Sequence, residues 1–129
     1  MEKQLKERLI SFETAKLAKE KGFDEEVLNH YSQEDCAGKQ YNEFQDDIKN
    51  SEAEHFEYSA PTQSLLQKWL REKHGIKLWM SPVGEEGELY HIEDITKNNL
   101  SLWGDLNSYE TYEEALEVGL QEALKLIEP

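Results

Sequence analysis

The sequence predicts an α+β fold, with about three helices packed on a small antiparallel sheet of two to three strands. Three observations carry that expectation. Two segments with helical apolar spacing each end in a glycine followed by an apolar residue. Between Ile76 and Ile95 the apolar period shortens to two across a glycine-bearing turn. The C-terminal segment opens on a capping box ahead of an unbroken apolar stripe.

The first helix begins after Ser11, a residue whose hydroxyl can cap an exposed N–H, and runs through Phe12, Ala15 and Ala18. Gly22 can take the left-handed conformation that ends it, which lets Phe23 fold back on Leu17 and Ala18. Leu5 and Leu9 continue the stripe backwards and would lengthen the helix by a turn or two. Residues 24–58 carry aromatics (Tyr31, Tyr41, Phe44, Phe56, Tyr58) without a sustained period and read as a long acidic irregular excursion, with a short helix near residues 25–31 as its one expected element. Ala60-Pro61-Thr62 opens the second helix with proline near its first position; Leu65, Leu66, Trp69 and Leu70 form its stripe, and Gly75-Ile76 ends it as Gly22-Phe23 ends the first.

Ile76, Leu78 and Met80 then alternate with Trp79, and the run after Gly84-Glu85-Glu86-Gly87 alternates again with Tyr90 and Ile92 on one face, which makes a β-hairpin. Pro82 lacks an N–H, so its strand belongs at an edge or is ending there. A third strand is expected near Leu100–Trp103. In the last helix Thr111 and Glu114 form the capping box, and Tyr112, Ala115, Leu116, Gly119, Leu120, Ala123, Leu124 and Ile127 make the stripe. Gly119 within it implies close approach of another backbone, most simply the sheet. A length of 129 residues suits one domain.

Charge is sorted along the chain. The net charge of −14 divides into +2 over residues 1–23, −9 over 24–58, +3 over 59–83 and −10 over 84–129. Such sorting bears on association and solubility rather than on fold, and it argues against binding of long nucleic acids. The sequence shows neither an apolar run of signal-peptide type nor a stretch of about 20 apolar residues, and its single cysteine, Cys36, allows no internal disulfide. A cytoplasmic protein without membrane attachment is the expectation.

No motif assigns a reaction. His30, His55, His74 and His91 include no pair at i, i+4 spacing and there is no C-x-x-C, so neither a metal nor any other cofactor is expected; His91 and Glu93 share a strand face that suits a solvated surface equally well. Carboxylates are too abundant for any pair to signal acid–base chemistry, the acidic stretch lacks the order of a calcium-binding loop, and Gly84 and Gly87 sit between strands rather than before a helix.

Three stretches, Ser11–Phe23 (SFETAKLAKEKGF), Ala60–His74 (APTQSLLQKWLREKH) and Tyr112–Leu120 (YEEALEVGL), resemble a group of small uncharacterised proteins encoded by phages and prophages of Bacteroides-type gut bacteria. The resemblance implies a mobile-element origin and a bacterial cytoplasmic setting, and it implies no residue role. The sequence therefore points to a small non-enzymatic binding protein whose partner is another protein, reached through the acidic surface at Glu43, Asp46, Asp47 and Glu52, with mimicry of nucleic acid as its sharpest form. A second reading is a binder of a small phosphorylated ligand or nucleotide, using the basic ends of helices 1 and 2 (Lys68, Arg71 and Lys73 in the second) with Trp79 or Tyr90 as a stacking platform. A third, a metal-dependent hydrolase, would draw on His30, His55 or His91. Oligomeric state is not encoded in any feature of the sequence.

Overall fold

A computed structural model describes residues 8–32, 40–52, 57–83, 87–96, 100–103 and 111–127. Among these the α+β arrangement is realised by three α-helices, a short 3-10 helix and six strands in two three-stranded antiparallel sheets. One sheet had been expected; the second is built from the acidic segment.

Helix α1 spans Phe12–Glu20 and ends as its sequence dictates: Gly22 has φ 96°, Gly22 N–H donates to the Lys19 carbonyl and Phe23 N–H to the Ala18 carbonyl, and Phe23 is buried. The expected backward extension does not form next to it. Leu9 instead makes an isolated antiparallel bridge with Thr62, with Ile10 N–H donating to the Pro61 carbonyl and Gln63 N–H to the Arg8 carbonyl. Helix α2 spans Gln63–His74 and is capped by Thr62 rather than opened by Pro61, which lies one residue before the cap. Gly75, at φ 65°, closes it.

Strands β1 (Val27–Ser32), β2 (Gln40–Ile48) and β3 (Glu57–Ser59) occupy the stretch read as irregular, in spatial order β2-β1-β3; Asn50–Glu52 forms the 3-10 helix between β2 and β3. The expected helix near residues 25–31 is thus replaced by β1. The reason is visible in the packing. This sheet is held by polar contacts that give no apolar period. Asn50, 6 % exposed, donates through Nδ2 to the Phe23 carbonyl at 2.7 Å and accepts through Oδ1 from Ser59 N–H at 2.8 Å, while the Ser59 hydroxyl meets buried His30 Nε2 at 3.3 Å. Each bond satisfies a group that would be costly to bury alone.

The second sheet, β4 (Ile76–Val83), β5 (Gly87–Asp94) and β6 (Leu100–Trp103), follows the hairpin expectation, in order β4-β5-β6 with unbroken register from Ile76↔Asp94 to Val83↔Gly87. Pro82 sits in an edge strand, where a missing N–H is tolerated. Helix α3 (Tyr112–Lys125) lies on this sheet; a Cβ added at Gly119 would stand 2.8 Å from Leu78 Cδ1 and 3.0 Å from Tyr90 Cβ, so the sheet does come close at this glycine, through side chains rather than the backbone expected. Thr111 accepts from Glu114 N–H at 3.0 Å, as the capping box requires.

The helices and both sheets share one apolar cluster that includes Ile10, Phe23, Val27, Leu66, Leu70, Ile92, Leu120 and Leu124. Glu117 of α3 is the polar node among the helices. Its carboxylate accepts from Ser11 N–H at 2.9 Å, from the Thr14 hydroxyl and from Gln63 Nε2 at 2.9 Å, so it meets the start of α1 and the start of α2. No helix among the described residues is long and apolar enough to cross a membrane.

Candidate functional site

The acidic residues singled out in the sequence fall on β2 and the turn after it. Glu43, Asp46 and Asp47 lie within β2, a strand that carries no Lys or Arg, and Glu52 ends the 3-10 helix that follows. Among the described residues β2 stands at the outer side of its sheet. Its pairing with β1 runs Ser32↔Gln40, Tyr31↔Tyr41, His30↔Asn42 and Asn29↔Glu43, then jumps to Val27↔Ile48. Two steps along β1 therefore match five along β2, and the surplus falls on residues 44–47. Asp46 and Asp47 sit in that irregularity, where a strand bends away from its neighbour. An edge strand with inserted residues and several carboxylates is poorly suited to indiscriminate strand pairing and well suited to presenting charge. Other acids of the segment have internal duties: Asp24 Oδ1 accepts from Ser51 N–H at 2.7 Å.

The basic residues of the alternative reading are dispersed. In α1, Lys19 Nζ donates to the Glu57 carbonyl at 2.7 Å and lies 5.0 Å from the centre of the Tyr58 ring, which ties the helix to β3; burial pushes its pKa down, opposed by the charge of Glu57. Lys21 Nζ donates to the Ile127 carbonyl at 2.7 Å beyond the end of α3. Lys68 and Lys73 do share a cleft with Glu25, Leu65, Trp69 and Glu72, but its volume is about 150 Å³ and Lys68 faces Glu72 at 3.9 Å. Pockets for small-molecule ligands typically measure about 300–1,000 Å³. Arg71 and Trp79 lie outside that cleft.

Trp79 belongs to a different place. Leu78 and Tyr90 face α3 at Gly119, so Trp79 and His91 project from the opposite side of the β4-β5-β6 sheet. Their rings meet edge to face with centres 4.0 Å apart, and His91 Nε2 lies 2.6 Å from the exposed Ser101 hydroxyl. The contact buries His91 to 7 % exposure although it is on the outward face. Sequence reasoning placed His91 with Glu93 and read Trp79 as a stacking platform, and it missed Ser101 and the contact between Trp79 and His91; the cross-strand register was the only route to these. A serine bonded to a histidine is half of a nucleophilic arrangement, and the lining of neither described cleft includes this pair.

Among the described residues no group of three or more His, Cys, Asp or Glu side chains stands close enough to hold a metal ion. His30 is fully buried against Ser59 and His91 is engaged with Trp79 and Ser101; His55 and Cys36 lie outside the described residues. The chain matches no protein-family model, no curated protein and no solved structure.

Proposed function

We propose that this chain is a small non-enzymatic binding protein of phage or prophage origin, acting in the bacterial cytoplasm, that engages a basic surface on another protein through β2 and the turn after it. The observation that carries this reading is the edge position of β2, combined with three carboxylates, no cation and a register break at the two adjacent aspartates. Complementary charge raises the rate of encounter and selects against acidic competitors. Carboxylates spaced along an edge strand could also imitate a row of phosphates, and a DNA-handling protein is the sharpest version of the partner.

Affinity capture from lysate of the bacterial host, followed by competition with duplex DNA, tests the reading. It expects a basic partner that duplex DNA displaces and that Asp46→Lys/Asp47→Lys no longer retains. Capture that survives both the competitor and the double substitution would reject it.

A further inference from the structure

Residues 8–11 precede α1 outside the helices and the two sheets, and they are tied to three other parts of the fold. Ile10 N–H donates to the Pro61 carbonyl at 3.0 Å and the Arg8 carbonyl accepts from Gln63 N–H at 2.8 Å, on either side of the bridge between Leu9 and Thr62. The Tyr31 hydroxyl of β1 donates to the Ile10 carbonyl at 2.6 Å. Ser11 N–H donates to Glu117 Oε2 of α3 at 2.9 Å. Of the four side chains only that of Ile10 is fully buried; Leu9 and Ser11 are half-buried and Arg8 is exposed.

None of these bonds belongs to the ladder of a helix or a sheet. The bonds of α1 begin at the Ser11 carbonyl and hydroxyl, which accept from Ala15 N–H and Thr14 N–H. Gln63 holds the first position of α2, where an N–H has no acceptor within its own helix, and the segment supplies one. Glu117 keeps the Thr14 hydroxyl and Gln63 Nε2 as donors when Ser11 N–H leaves it. Release of residues 8–11 therefore breaks the bonds at Ile10 N–H, Gln63 N–H, the Tyr31 hydroxyl and Ser11 N–H, unseats one aliphatic side chain, and leaves the three helices and six strands whole. Segments with so few buried apolar contacts occupy the low end of the range of local stability in a protein. We infer that residues 8–11 are a strap that opens and recloses as one unit while the rest of the fold stays intact, baring the seat of Ile10 in the core and the first N–H of α2. Closed, the strap joins the first sheet, through Tyr31, to α3, through Glu117. This device is independent of binding through β2.

Native-state amide exchange of the full chain, over a series of low denaturant concentrations, is the test. The amides of Ile10, Ser11 and Gln63 report on the strap, because each has its acceptor across the closed contact. All three should share one opening equilibrium that hardly responds to denaturant, since little surface is exposed, whereas Leu66 and Leu70 within α2 should exchange more slowly and respond steeply. Gln63 is the sharpest reporter: it belongs to α2, yet it should follow Ile10 rather than Leu66, whose N–H donates to the Thr62 carbonyl. Tyr31→Phe removes one tie and should quicken exchange at the three reporters about fivefold. Leu120→Ala weakens the core of the open and closed forms alike, so it should quicken Leu70 by about thirtyfold or more and leave the reporters unchanged. Reporters that track Leu70 in denaturant or in Leu120→Ala, a Gln63 amide as slow as Leu66, or reporters unmoved by Tyr31→Phe would overturn the inference.

Discussion

Aromatic residues stand opposite one another across strands in both sheets, and those whose side chains are described are treated differently. In the first sheet Tyr31 of β1 stands opposite both Tyr41 of β2 and Tyr58 of β3. Phe12 of α1 covers Tyr31 and Tyr58, with its ring 5.8 Å from the first and 5.6 Å from the second, and the Tyr31 hydroxyl donates to the Ile10 carbonyl. In the second sheet His91 of β5 stands opposite Trp79 of β4, on the face turned away from α3. The first sheet joins the core through its aromatic row and a buried polar network. The second joins it through the apolar face beneath α3 and leaves Trp79 exposed on its other side. Aromatic content alone therefore says nothing of burial; the helix that lands on a face decides it.

The strongest way to break this comparison is to attack the apolar seam under α3. Leu120 is fully buried, so Leu120→Ala should lower stability by about 2–5 kcal/mol in chemical denaturation, through lost transfer energy and an unfilled cavity. Unchanged stability would remove α3 from the centre of the core. At the neighbouring position Gly119→Leu should be more damaging than Gly119→Ala, because even a single added carbon meets Leu78 and Tyr90 within about van der Waals contact.

The polar half is tested at Asn50. Asn50→Ala strands the Phe23 carbonyl and the Ser59 N–H, and a loss of about 1–3 kcal/mol is expected for a buried group left without its partner. Asn50→Asp should not restore stability, because the donor to Phe23 is lost. Full stability in Asn50→Ala would show that the first sheet does not depend on its polar network.

These two halves differ in legibility for the same reason that they differ in chemistry. The hairpin β4–β5, the caps at Ser11 and Thr111, the endings at Gly22 and Gly75 and the contact at Gly119 all follow from short-range rules, and the structure realises each of them. β1, β2 and β3 are hidden because His30 and Ser59, which pair across β1 and β3 and are both buried, occupy positions where alternation would place aliphatic residues, and because an inserted stretch in β2 breaks the period. The one available signal was the recurrence of tyrosine in three short polar runs, Tyr31, Tyr41 and Tyr58. The acidic residues of the candidate site were legible as a composition; their position on an edge strand was not.

The smallest expected effect sharpens the junction between α2 and the second sheet. His74 ends α2 with its ring 4.6 Å from Trp69, and partial burial lowers its pKa from 6.5, opposed by the charge of Asp94. Between the unfolded value near 6.5 and the lower folded value the unfolded chain binds more protons, so stability is full above that window and falls as the pH drops through it. Thermal melts from neutral to mildly acidic pH should show a shallow decline that His74→Gln reduces. An identical decline in that variant would assign it to other groups.

Binding through β2 predicts a charge-steered encounter. With a captured partner, the association rate should fall as ionic strength rises through the range where the screening length shortens to about 8 Å, and Asp46→Lys/Asp47→Lys should slow association and flatten that dependence while melting near the wild-type temperature. A rate that does not respond to salt, or a double variant that associates as fast as wild type, would contradict a role for β2 in recognition.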